Sequence, residues 1–171
     1  IEHRHPDDSM NRHYHRNTTA IKTKLNYWTI TSGEQQTELY NKTHGMMFAE
    51  PLPRLLYVEM AEIEEQHVTQ YGALGDPNET VLEKAAPMQL NEAYLYYSNL
   101  QTETVPWMKP IWERLLMDEI GHVAVVNDLL MAYDGRDLAE LMGTDRIEPL
   151  VVFEENKYYM NRVLEEQVDI A

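Results

Sequence analysis

Four stretches of the 171-residue chain, 18–48, 54–74, 78–102 and 106–133, carry apolar residues at helical spacing, and only short runs of helix-breaking residues separate them. The breaks are AEPLPR (49–54), GDPNE (75–79) and TETVP (102–106), with DGRD (134–137) and MGTD (142–145) beyond the fourth stretch. A further helical pattern covers 148–168. No long stretch alternates with the period of two that a half-buried strand requires. Long helices joined by short connections pack as antiparallel neighbours. The pattern therefore predicts an all-α fold, an antiparallel four-helix bundle with an additional C-terminal helix. It divides the chain into a polar, His-rich arm (1–17), the bundle (18–133) and a C-terminal loop and helix packed on the bundle (134–171).

Two of the stripes contain residues that a core does not ordinarily hold. In the second stretch Leu56, Met60, Ile63, Tyr71 and Leu74 form the stripe, and Glu64 and His67 lie within it, one turn apart. In the fourth, Trp112, Leu115, Leu116, Val123, Val126 and Leu130 form the stripe, and Glu119 and His122 lie in it at the same spacing. A carboxylate buried there is costly unless it is paired or binds a metal. In a chain this rich in Glu and His, about one Glu-x-x-His pair arises by chance. Glu2 and His5 in the arm are assigned to that chance. A single pair reads as a hydrogen-bonded core histidine; two pairs, mid-helix on two apolar stripes, favour metal.

Such a site requires one more carboxylate from each of the other two helices. Glu92 lies among Val81, Leu82, Ala85, Met88, Tyr96 and Asn99 in the third stretch, where the ordinary alternative is a partly buried salt bridge. In the first stretch Glu34 and Glu38 share a face. Two antiparallel helices turning through residues 49–54 bring Glu34 level with Glu64, so Glu34 is the expected ligand and Glu38 the alternative. The neighbouring Gly33 marks a kink or a close approach, or is simply tolerated.

Glu34, Glu64, His67, Glu92, Glu119 and His122 together offer four carboxylates and two imidazoles. These hard and borderline donors suit two iron ions, or manganese. Glu64 and Glu119 are the natural bridges, with Glu34 and Glu92 terminal. Metals roughly 3.5–4 Å apart can activate an oxygen-derived ligand between them. Tyr57, Tyr71, Tyr94, Tyr96 and Tyr97 are candidates to hydrogen-bond around the site, although tyrosines at such positions more often simply pack.

Composition narrows the remaining classes. The net charge is -15, with no basic cluster beyond a short N-terminal stretch, which argues against a nucleic-acid partner. There are no cysteines, which excludes disulfides, thiolate zinc sites and iron–sulfur clusters. No run of 18 apolar residues suits a membrane span, and a cytoplasmic location is expected. His3, His5, His13 and His15 in the arm offer metal donors, but a flexible or partner-packed tail is the favoured reading.

SGEQQTELY (32–40), EEQH (64–67), Glu92 and DEIGH (118–122) resemble the rubrerythrin-like branch of the ferritin-like superfamily. The resemblance covers about residues 18–133 and rests on the order Glu, Glu-x-x-His, Glu, Glu-x-x-His with helix-sized gaps. It implies a di-iron bundle with the six residues above as ligands. It further implies a homodimer that reacts with peroxide or dioxygen as a peroxidase or oxidase, supplied by an external electron donor. Two positions depart from the family pattern. Rubrerythrins carry a Cys-rich iron module, and this chain has no cysteine; they often use a second Glu one turn after the third-helix ligand, where this chain has Leu95. A ferroxidase or iron-handling role is the second expectation. A non-enzymatic scaffold, docking through the arm or the last helix, is the third; the presence of all six ligand residues argues against it.

Overall fold

The computed structural model describes residues 12–143, 147–152 and 155–167, so His3, His5 and the Glu2 pair of the arm lie outside the described residues. The chain is all-helical. Four long helices, α1 (Ile21–Gly45), α2 (Pro51–Gly72), α3 (Val81–Thr102) and α4 (Lys109–Asp134), precede the short α5 (Leu138–Met142) and α6 (Lys157–Gln167). Among the described residues there is no strand, and no helix is long and apolar enough to cross a membrane.

The helix ends follow local chemistry. Pro51 and Pro53 fall in the first turn of α2, where a missing N–H breaks no helical hydrogen bond. Thr80 and Glu83 form a reciprocal capping box at the start of α3. Thr80 Oγ1 accepts the Glu83 N–H at 3.0 Å, and Glu83 Oε2 accepts the Thr80 N–H at 2.9 Å. Gly135, at φ 67°, ends α4 in the left-handed conformation that glycine adopts without strain.

The last helix begins at Lys157 rather than near 148. Pro149 disfavours helix at the residue before it, and the β-branched Val151 and Val152 follow. Residues 147–152 dock on α3 instead: Tyr94 donates its hydroxyl to the Pro149 carbonyl at 2.5 Å, and the Val151 N–H donates to Ser98 Oγ at 3.2 Å. Helix α5 and residues 147–152 thus both contact α3. Helix α6 makes at most marginal contact with another helix among the described residues.

Helix α1 packs on α2, α3 packs on α4, and the two pairs meet where α1 crosses α3. Helices α2 and α4 share at most a marginal contact. Ala86, Leu130, Leu138 and Leu141 form a buried cluster joining α3, α4 and α5. The crossing of α1 and α3 is partly polar: Lys22 Nζ donates to the Tyr94 hydroxyl at 2.7 Å and Thr29 Oγ1 to Asn91 Oδ1 at 2.9 Å.

This arrangement corrects part of the stripe reading. Leu56 and Ile63 on α2 and Val81 on α3 are exposed rather than buried. The reason is geometric: α2 has α1 as its one substantial neighbour, so a single face is covered and only Ala61 is fully buried.

Helices α1 and α2 approach closely at Gly45, where an added Cβ would lie 2.7 Å from Tyr57 Cβ. Gly45→Ala should therefore destabilise the fold by about 1–3 kcal/mol through overpacking, read as a lower urea midpoint with an unchanged slope. Gly33 marks no close approach: a Cβ there meets nothing within 4 Å.

A polar cluster fastens the segment before α1 to the α2–α3 loop. Lys24 Nζ lies 3.1 Å from Glu79 Oε1, with both side chains 1% exposed, and it also donates to the Arg16 carbonyl at 2.8 Å. Tyr14 donates its hydroxyl to Glu79 Oε2 at 2.5 Å. Asp76 accepts the Arg16 N–H at 2.8 Å and the Asn78 N–H at 2.9 Å, and these two bonds lower its pKa to about 2. Because the folded value lies below the ordinary one, this contribution to stability is complete above about pH 4. It is lost as pH falls toward the folded value of about 2. Asp76→Asn should flatten that part of the pH–stability curve and lower the melting temperature at neutral pH, as followed by thermal unfolding across pH 2–7.

Candidate metal centre

The six expected ligands fall into two triads, one on each helix pair. On the first pair, α1 presents Glu34, while α2 presents Glu64 and His67 one turn apart. His67 Nδ1 lies 3.2 Å from Glu34 Oε2 and 3.0 Å from Glu64 Oε2. One donor atom from each of the three residues falls within 4.8 Å of the other two, close enough to share a cation. No other such group of three occurs among the described residues.

Glu38 is committed elsewhere. It pairs with Lys42 on the same helix, one turn on, and Lys42 Nζ also lies 3.9 Å from Glu65 Oε2. The structure thus places Glu34, not Glu38, beside Glu64 and His67. His13 and His15, the two arm histidines within the described residues, join no metal-type group there.

The second triad is looser. Helix α4 presents Glu119 and His122, with His122 Nδ1 3.2 Å from Glu119 Oε2. The buried Glu119 Oε2 accepts no hydrogen bond among the described residues. A buried carboxylate oxygen without a donor is costly. His122 is turned outward, its side chain 58% exposed against 13% for Glu119. Glu92, on α3, is near enough to feel the charges of both.

Electrostatics shows the same crowding in both triads. Burial pushes the Glu34 carboxyl above the ordinary range, the adjacent Glu64 pushes it further, and His67 opposes both. Burial likewise raises Glu92, the Glu119 charge adds to it, and His122 opposes. Each triad therefore holds more acceptor oxygen and negative charge than its single imidazole offsets, an environment in which a cation is favourable.

Of the five candidate tyrosines, two lie near the triads. Tyr71 has its ring 5.8 Å from that of His67. The Tyr96 hydroxyl is raised by burial and by the charges of Glu92 and Glu119. Tyr57 packs against Phe48, Tyr94 serves the 147–152 segment, and Tyr97 is exposed.

No hydrogen bond or ion pair links one triad to the other among the described residues. Glu34, Glu64 and His67 gather on the first helix pair, and Glu92, Glu119 and His122 lie on the second. Helix α2 carries Glu64 and His67 and α4 carries Glu119 and His122, and these two helices share at most a marginal contact. Compared with known protein families, curated proteins and solved structures, the chain matches none.

Proposed function

We propose that this chain is a di-metal carboxylate protein of the antiparallel four-helix-bundle type. It holds two iron ions and reacts with peroxide or dioxygen as a peroxidase or oxidase. One observation carries the reading: Glu34, Glu64 and His67 bring donor atoms within 4.8 Å of one another across α1 and α2, and a second Glu-x-x-His contact, Glu119–His122 on α4, lies within charge range of Glu92 on α3. The resemblance of these segments to the rubrerythrin-like branch supports it.

The residues fit the metal. Each triad supplies two carboxylates and one imidazole, the donor set that iron or manganese takes. Glu119 Oε2, buried and without a donor, would be satisfied by a cation. Bound metal would supply redox chemistry and a place for a small oxygen species between two ions. Glu34, Glu64, Glu92 and Glu119 would hold the metal through carboxylate oxygens, and His67 and His122 through ring nitrogens. The Tyr96 hydroxyl, held in its protonated form by burial and by Glu92, is a hydrogen-bond donor beside the second triad. With no cysteine in the chain, electrons come from an external donor.

Elemental analysis of untagged protein, purified without added metal, tests the reading. About two iron or manganese ions per chain are expected, as in bundle carboxylate sites. No metal, and no uptake after anaerobic ferrous iron, sinks the proposal. With metal present, stopped-flow oxidation of the reduced protein by peroxide should outpace free iron. Uptake of many more ions per chain would instead indicate iron storage.

A further inference from the structure

Two faces of the chain are apolar and exposed among the described residues. On α2, Leu52, Leu56 and Ile63 follow one another at helical spacing, and Leu52 is 77% exposed. On α4, Val125, Leu129 and Tyr133 do the same, and Tyr133 is 78% exposed. Leu55 and Val58 on α2 and Ile120 and Met131 on α4 are exposed as well, whereas a lone soluble chain rarely exposes contiguous apolar patches beyond a few hundred Å2. Permanent dimer interfaces are built from apolar faces of this kind.

The rows adjoin the triads. Glu64 and His67 border the α2 row, and His122 stands in the α4 row, three residues before Val125. Beside Glu34, the residues Asn26, Ile30, Gly33 and Thr37 line an open groove of about 350 Å3 on α1.

Within one chain the two triads are out of register. Thr29 bonds Asn91, so the turn of α3 that bears Glu92 lies level with Thr29. Glu34 is five residues further on, about 7.5 Å along α1. A metal pair spans roughly 3.5–4 Å. Sliding the helices into register would break the Thr29–Asn91 and Lys22–Tyr94 bonds.

Resting on the two-metal reading above, we infer that a second copy of this chain covers these faces and completes the site. Helix α2 of one copy packs on α4 of the other. Glu34, Glu64 and His67 of one copy then face Glu92, Glu119 and His122 of the other. A two-fold axis makes the contact twice, giving two complete sites per dimer and covering both apolar rows.

Subunit complementation tests this. Glu64→Ala/His67→Ala and Glu119→Ala/His122→Ala chains, carrying different tags, are co-expressed and the mixed dimer is purified through both tags. Each variant alone should lack spin-coupled iron pairs by Mössbauer spectroscopy. The mixed dimer has one site with both triads intact and should regain about half the wild-type content of coupled pairs. No recovery, while wild-type protein holds pairs, overturns the shared site but leaves the two-metal reading standing. Wild-type protein without metal overturns the reading beneath it. Tags that never co-purify overturn the dimer.

Leu56→Glu gives a second test, because Leu56 is exposed in the single chain and is no ligand. The variant should keep its helicity, sediment as a monomer and lose coupled pairs by about tenfold or more at equal concentration. A monomer that keeps its coupled pairs overturns the inference.

Discussion

Glu64→Ala should weaken metal binding at least about 100-fold, since even residues that merely support a metal ligand are worth 10–100-fold. The metal-free fold should survive it. Glu64 lies beside Glu34 and helps to raise its carboxyl, so removing it relieves like-charge crowding in the first triad. The metal-free variant should melt at or slightly above the wild-type temperature while its competition titration against a chromophoric chelator shifts strongly. Glu38→Ala serves as the control: its carboxylate is engaged by Lys42, so metal affinity should stay near wild type. Wild-type affinity in Glu64→Ala would remove this ligand set. Loss of affinity in Glu38→Ala would move the first-helix ligand one turn along α1.

The largest stability change should come from Lys24→Ala. Both side chains of the Lys24–Glu79 pair are 1% exposed, and the lysine also satisfies the Arg16 carbonyl. Removing one partner leaves a buried carboxylate with the Tyr14 hydroxyl as its one side-chain donor among the described residues, a loss of about 3–5 kcal/mol. Replacing both, as Lys24→Met with Glu79→Gln, should recover much of that loss, because the uncompensated charge disappears and the glutamine carbonyl still accepts from Tyr14. Urea unfolding of the two single variants and the double variant closes the cycle. A loss under about 1 kcal/mol in Lys24→Ala would mean that water reaches Glu79 and the pair behaves as a surface one.

Much of the helical architecture was legible from the chain. The prolines of 49–54, the Thr80–Glu83 spacing and Gly135 are local signals, and they mark real helix ends within a few residues. The Glu64–His67 and Glu119–His122 contacts were legible for a similar reason: Glu-x-x-His is a contact within one helix, fixed by helical periodicity alone. Where periodicity stops being local, the reading weakened. An apolar stripe says that a face avoids water but not what covers it, so Leu56, Ile63 and Val81 were assigned to a core that the single chain does not close. Pro87 lies inside α3 and buried, although nothing in the pattern distinguishes it from a helix breaker. The Lys24–Glu79 pair joins residues 55 positions apart and has no sequence signature. Spacing ranked Glu34 ahead of Glu38, and the structure adds what spacing does not show, that Glu38 is engaged by Lys42 on its own helix.

Glu83 fixes how the molecule opens. Its carboxylate, 2% exposed, accepts from the Thr80 N–H, from Arg16 and from Arg136. Burial alone would raise its pKa, but the Thr80 amide and the two guanidinium groups hold it below the ordinary carboxylate range. One side chain therefore ties together the segment before α1, the first turn of α3 and the loop after α4. Detaching any one of them leaves a buried charge with fewer donors, so the three segments cannot fray one at a time without cost. In hydrogen-exchange terms they form one cooperative unit: amides distant in sequence should become labelled together, at a common rate, while the exposed surface of α6 exchanges on its own schedule.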